Sequence, residues 1–383
     1  MTRTRRATVA MLLVGLAIFS SLYSTQAILP TLVHNMGLSS TEAAMTVSAA
    51  TGALALCVVP ASILSERFGR GRILLISAVA ATGVGLIVPL AQEGWQLIVV
   101  RGLQGALLSG APATAMAWLS EELDDKALPR AMGLYIAGTS VGGLTGRLIP
   151  TGLVEISTWR WALFGSALVS LTFAITAWLL LPTQRNFRPK SIHLKTESRA
   201  LLDHWANRDL ALLFLTAFLS MGTFVSMYNF LTFRLIDDFG LAPSLAGLAF
   251  LFYLTGTWSS ARAGSLVARI GHGKTLFASA VLFALGIAFC AGNLPLTLLG
   301  MIAFTVGFFA VHSTASGWVG QIATHDRAEA SSMYVFCYYF GSSVVGACAG
   351  LLFDALSWPL FIAFFTAVAL ALTALTWTKI KSD

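Results

Sequence analysis

Apolar stretches of about twenty residues recur twelve times along this chain, and that recurrence limits the fold more than any other feature. The hydrocarbon core of a bilayer takes a helix of about 20 apolar residues. With no water there, each backbone polar group must be satisfied inside its own segment. The stretches centre near Ala17, Leu54, Val79, Gly110, Gly142, Ser170, Phe224, Leu254, Leu285, Gly307, Val344 and Ala367. Charged residues are only 11% of the 383, less than half the roughly 25% with which a soluble domain solvates its surface. The expected fold is an all-α polytopic membrane protein of twelve transmembrane helices. The first stretch, from about Val9 to Val33, follows Arg3, Arg5 and Arg6. It exceeds the roughly 7–15-residue apolar core of a secretory signal, which predicts a permanent helix.

One long polar segment, from about Pro182 to Arg208, divides the series near its middle. The expected organisation is a six-helix bundle over residues 1–181, a cytoplasmic linker over 182–208 and a second six-helix bundle over 209–383. Within the linker, Ala200, Leu201, Leu202 and Trp205 make an apolar face suited to the membrane surface. The positive-inside rule then sets the orientation. With the N-terminus in the cytoplasm, 19 of the 24 Lys and Arg fall on that side. Three lie in the N-terminal tail, three after the second helix, two after the fourth, six in the linker, two after the eighth, one after the tenth and two in the C-terminal tail. Arg160 and Arg234 lie at outer helix ends. Both termini are therefore expected in the cytoplasm. The net charge of +7 is topological and does not point to nucleic acid. Cys57, Cys290, Cys337 and Cys348 sit in apolar stretches, at spacings that suit neither a disulfide framework nor a metal site.

The two halves echo one another. After the second helix the chain reads Glu66-Arg67-Phe68-Gly69-Arg70-Gly71-Arg72, and after the eighth it reads Ala268-Arg269-Ile270-Gly271-His272-Gly273-Lys274, an offset of 202. Tyr135, Glu155 and Trp159 recur as Tyr334, Asp354 and Trp358, each at an offset of 199. Matching landmarks in two hydrophobic halves indicate parallel repeats around a central site.

The first of these connections resembles the signature loop of the major facilitator superfamily, in which Glu66, Arg67, Gly69 and Arg70 match. Ser62 replaces the usual glycine, and Gly71 delays the last base to Arg72. The resemblance covers the whole chain and implies that fold: two pseudo-symmetric six-helix bundles. Two further motifs are similar to the drug:proton antiporter branch of bacterial inner-membrane exporters. Arg101-Gly102-Leu103-Gln104-Gly105 resembles its buried-arginine motif, and Gly133, Gly142 and Gly146 keep the spacing of its glycine-rich exporter motif. Arg147 stands where that branch usually has proline, and the following glycine pair is missing. The resemblance implies a multi-pass inner-membrane transporter, acting as a monomer among lipids with the proton as coupling ion. It also implies that Glu66, Arg67, Gly69 and Arg70 form a conformational latch for alternating access.

Embedded charge points to the substrate. Arg101 lies roughly 9 Å below the outer interface marked by Trp95, and Arg147 roughly 12 Å from the outer helix end at Glu155. A charge at such depth is costly unless it faces a wet cavity or a partner. Arg262, near the inner end of its helix, is expected to snorkel. Gly138, Gly142 and Gly146 make a smooth ridge for close helix approach, which serves helix packing in general and close packing between the halves as well. All 17 Asp and Glu fall in connections or at helix ends, so no carboxylate is expected near the membrane centre. His312 is then the best embedded titratable group for proton coupling, alongside Arg101. Two arginines without embedded acids bias the cavity positive and point to an anionic or amphipathic organic substrate. Candidate substrate contacts are Tyr23, Gln26, Arg101, Arg147, Tyr228, Asn229, Trp318 and Tyr338, which combine charge, hydrogen bonding and apolar wall.

The expected function is proton-coupled efflux of such a compound. Uptake or exchange of an organic anion, and lipid flipping, are alternatives on the same fold. No P-loop, HExxH or Cys/His metal spacing occurs, so no enzyme and no cofactor are expected.

Overall fold

The structure, a computed structural model, describes residues 2–124, 126–187, 203–325 and 327–378. The linker positions Arg188, Lys190, Lys195, Arg199, Ala200, Leu201 and Leu202, and the tail lysines Lys379 and Lys381, lie outside the described residues. Trp205 is described, with its ring 5.3 Å edge-on from Phe214.

The described residues form twelve helical rods and no strand. These are α1 (Arg3–Met36), α2 (Ser40–Phe68), α3 (Arg70–Leu90), α4 (Gly94–Leu108 and Gly110–Glu122), α5 (Leu128–Val154) and α6 (Trp159–Leu180). The second series is α7 (Arg208–Asp238), α8 (Pro243–Leu248 and Tyr253–Ile270), α9 (His272–Phe289), α10 (Leu294–Ile322), α11 (Arg327–Ala355) and α12 (Trp358–Trp377). Among the described residues, nine of them are long and apolar enough to cross a membrane. The other three are α4 and α8, each divided into shorter segments, and α5, a glycine-rich helix that carries Arg130 and Arg147. Local signals set the ends. Ser39 and Glu42 close a capping box on α2, and Asn207 and Asn293 cap α7 and α10 through their side chains.

The chain divides into two compact units, Met1–Ile192 and His193–Asp383. In the first, α1 packs most closely on α5 and α6, α2 on α4, and α3 on α4 and α6. In the second, α7 packs on α11 and α12, α8 on α10, and α9 on α10 and α12. Each pairing in one unit has its counterpart six helices on, so the sequence repeat is also a repeat of packing. The turns that carry the repeat share an unusual backbone. Gly69 has φ 101° and Gly271 has φ 87°, a region that side chains with a Cβ avoid.

The glycine ridge of α5 has a defined partner. A Cβ on Gly138 would lie 2.4 Å from the Leu12 carbonyl oxygen, and one on Gly146 would lie 2.4 Å from that of Ser20. The ridge therefore brings α5 onto α1 inside the first unit.

Candidate functional site

The most irregular point of the first unit is a break in α1. The α-helix stops at Leu22, a tighter turn spans Gln26–Ile28, and the helix resumes at Leu29. Pro30 stands in the first turn of the resumed helix, where its missing N–H costs no helical bond. The carbonyls just before the break lose their regular helical donors. In a bilayer such groups must be met by neighbouring side chains.

Arg101, from α4, meets them. Its Nη1 donates to the Ser21 carbonyl at 2.9 Å and also to Gln104 Oε1. Its Nη2 donates to the Leu22 carbonyl, and its Nε donates to the Thr46 carbonyl of α2 at 3.1 Å. The side chain is fully buried. Its partners are neutral, so in this conformation the guanidinium caps a broken helix and does not snorkel towards the surface. Gln104 completes the arrangement by donating to the Ala81 carbonyl of α3 at 3.1 Å.

Arg147, from α5, holds the other side of the break. Its Nε donates to Gln26 Oε1 at 2.8 Å, and its Nη1 donates to the Gly143 carbonyl at 2.6 Å. Its guanidinium carbon lies 4.0 Å from the centre of the Tyr23 ring. A cation over a desolvated aromatic face gains about 2 kcal/mol. Arg147, Tyr23 and Gln26 are all buried. Three of the residues singled out from sequence therefore form one cluster, and Arg101 grips the same break from a different helix.

In the second unit the expected contacts separate. Tyr228 is fully buried among aromatic rings, stacked on Phe250 at 5.1 Å and packed on Phe224 and Phe304. Its hydroxyl lies 2.8 Å from Thr305 Oγ1, so the ring fills the helix bundle. Asn229, the next residue, is also buried. Trp318 stacks on His272 at 5.0 Å and belongs to the packed cluster of Leu276, Ala315 and Val319. Helical phase, which aromatic identity does not reveal, puts both rings in packing. His312 and Tyr338 do come together. Their rings lie 4.6 Å apart, and His312 Nδ1 is 3.0 Å from the Tyr334 hydroxyl. Both side chains are half-buried. Arg262 is exposed beside Trp258, as expected of a snorkelling residue.

The signature loop is held inside the first unit. Arg70 pairs with Glu66 at 3.3 Å and with Glu121 of α4 at 2.5 Å, while Arg67 is exposed. Gln184 accepts from the Gly71 N–H at 3.2 Å and donates to Glu121 at 3.0 Å. Beside it, the buried Glu122 carboxylate accepts from Arg3 at 2.6 Å and from the Arg185 and Asn186 N–H groups at 2.7 Å each. Trp118 packs beneath Gly71, with its Nε1 2.9 Å from where a Cβ would stand. In the second copy, Ala268, His272 and Gln321 take the places of Glu66, Arg70 and Glu121, and an aromatic stack on Trp318 replaces the ion pairs. Glu121, Glu122, Gln184 and Trp118 were missed from sequence. Trp118 and the candidate Trp318 share the repeat offset to within two residues, a signal that would have found Trp118.

The chain matches the family model described as Major Facilitator Superfamily over residues 11–257 and 212–382. It is similar to the inner membrane transport protein YnfM of Escherichia coli (strain K12), 36% identical over 98% of this chain and 90% of that protein. It is also similar to the multidrug resistance protein MdtG of Proteus mirabilis, 28% identical over 76% of this chain and 73% of that one. Among solved structures, a variant of the nucleoside transporter NupG superposes with a TM-score of 0.81 over 98% of this chain and 99% of that one. Its sequence identity is 14%, so that likeness speaks for the fold alone.

Proposed function

The chain belongs to the Major Facilitator Superfamily, and on that premise we propose that it is a proton-driven exporter of a small anionic or amphipathic organic compound. The observation that carries this reading is the buried cluster of Arg147, Tyr23 and Gln26 at the break in α1. A carboxylate is a stronger acceptor than the Gln26 amide, and a guanidinium takes it through two parallel bonds. The Tyr23 ring gives the adjacent apolar face. An anion that replaces Gln26 on Arg147 alters the contacts across the α1 break, and this ties substrate binding to the shape of a helix.

The described Asp and Glu lie in connections or at helix ends, which leaves the proton to a different group. We assign it to His312, whose ring nitrogen faces the Tyr334 hydroxyl among the rings of Phe308 and Tyr338. The remaining parts of the reading follow the family: alternating access between bundles of residues 1–181 and 209–383, both termini in the cytoplasm, the Glu66–Arg70 turn as latch, and a monomer in the inner membrane. Export is favoured over uptake by the similarity to a multidrug resistance protein. The protein is read as a carrier and not as an enzyme.

Inside-out vesicles from an overexpressing strain test the reading. With the lumen acidified, labelled carboxylates found in a metabolite screen of the deletion strain should accumulate, and a protonophore should abolish the accumulation. His312→Gln should retain exchange of substrate for substrate while losing accumulation. Accumulation that survives the protonophore, or that is confined to cations, would overturn it.

A further inference from the structure

A small polar cavity lies beside the α1 break, between α1, α3, α4 and α6 of the first unit. It has room for about one water molecule. Ser21 and Ser24 line it from α1, Gln104 from α4, and Ser166 and Ser170 from α6. Four hydroxyls therefore surround a space of about one water.

Among the described residues, two of those hydroxyls have no partner. Ser21 Oγ and Ser166 Oγ are buried without a hydrogen bond, and their residues are 3% and 1% exposed. The other two are engaged: Ser24 Oγ donates to the Ser21 carbonyl at 3.1 Å, and Ser170 Oγ donates to the Ser166 carbonyl at 3.0 Å and lies 3.1 Å from Ser20 Oγ. A buried polar atom without a partner is rare in native proteins, and an ordered water is its common answer. The Ser21 carbonyl on the edge of the cavity also accepts from Arg101. That neighbouring positive charge disfavours a metal cation as the occupant.

We infer that this cavity is a binding site for one tightly held water, bonded to the Ser21 and Ser166 hydroxyls and joining α1 to α6 behind the Arg101 cap. Such a water lets the broken turn of α1 shift its hydrogen bonds without presenting bare carbonyls to lipid, as ordered waters do at other interrupted membrane helices. The second unit carries hydroxyls at the corresponding places of the repeat. Thr223 and Thr366 follow Ser24 and Ser166 by 199 and 200 residues, and their hydroxyl oxygens are likewise buried without a partner.

Radiolytic hydroxyl labelling of the purified full-length protein tests the site, because a trapped water generates the radical in place. Leu163 and Val88 line the cavity and are each 2% exposed, and the fully buried Leu54 and Leu97 serve as references. Leu163 and Val88 should be oxidised at least fivefold faster than the references. After a brief transfer into heavy-oxygen water they should still carry the light isotope, as expected of slow exchange. Ser166→Val should bring Leu163 to the reference rate, and the wild-type measurement decides the matter even if that variant fails to fold. Equal rates at Leu163, Val88 and the references would overturn the site, and so would immediate uptake of the heavy isotope.

Discussion

Replacing Arg101 with methionine keeps the length and bulk of the side chain and removes its charge and every donor. Four hydrogen bonds are lost: those to the carbonyls of Ser21, Leu22 and Thr46 and to Gln104. A bond from a charged donor contributes about 1.5–3 kcal/mol, so the gross loss is roughly 8 kcal/mol. Several kcal/mol return because an ion no longer has to be held away from water. The net destabilisation is about 3 kcal/mol, and Arg101→Lys should fall between, because one ammonium cannot span three carbonyls and an amide. Cys290 and Cys337 are buried free thiols, one at the end of α9 and one in α11. With Cys57 and the exposed Cys348 replaced by serine in every variant compared, a thiol-reactive fluorophore during a thermal ramp therefore reports unfolding of the purified protein. The melting order should be wild type, then lysine, then methionine, with several degrees between the first and the last. A methionine variant that melts with the wild type would refute the view that Arg101 caps the α1 break.

Three other outcomes follow from the geometry. Gly138→Ala should lower the melting temperature strongly, because its Cβ would meet backbone at 2.4 Å; Gly133→Ala, with open space around it, should gain up to about 1 kcal/mol of helix stability in the same assay. Tyr228→Phe should cost about 1 kcal/mol through the lost Thr305 bond and leave the transport rate within twofold of wild type, as measured in vesicles. Glu121→Gln breaks the Arg70 pair at a half-exposed site, so it should cost less than about 1 kcal/mol of stability yet slow transport severalfold if the turn is a latch.

Helix number and the two-fold repeat were legible because each rests on a long signal. A twenty-residue apolar run and an offset near 200 both survive many local exceptions. The break in α1 was only half legible. Tyr23 and Gln26 stood out as polar residues in an apolar run, but a single sequence does not show which side chain meets the carbonyls where a helix breaks. Arg147 with Tyr23 and Gln26 was readable because a buried charge has few options. Tyr228 and Trp318 were not, since an aromatic ring is equally at home in a wall or a core and only the turn of the helix decides. Glu121 and Gln184 were hidden for another reason: they reach the signature loop from elements 51 and 113 residues away. The glycine ridge was recognised as a close-packing surface, while its partner, α1, depended on topology.

The account turns on Arg147 as the group that receives the substrate's negative charge. The direct measurement is the rate of transport, in proteoliposomes, of a carboxylate substrate and of its neutral amide analogue, by the wild type and by Arg147→Gln and Arg147→Lys. A two-bond, charge-assisted contact of about 3 kcal/mol corresponds to roughly a hundredfold in rate at limiting substrate. Arg147→Gln should therefore lose about a hundredfold towards the carboxylate and little towards the amide, with Arg147→Lys recovering part of the loss. A folded Arg147→Gln protein that carries the carboxylate within twofold of wild type would contradict the account.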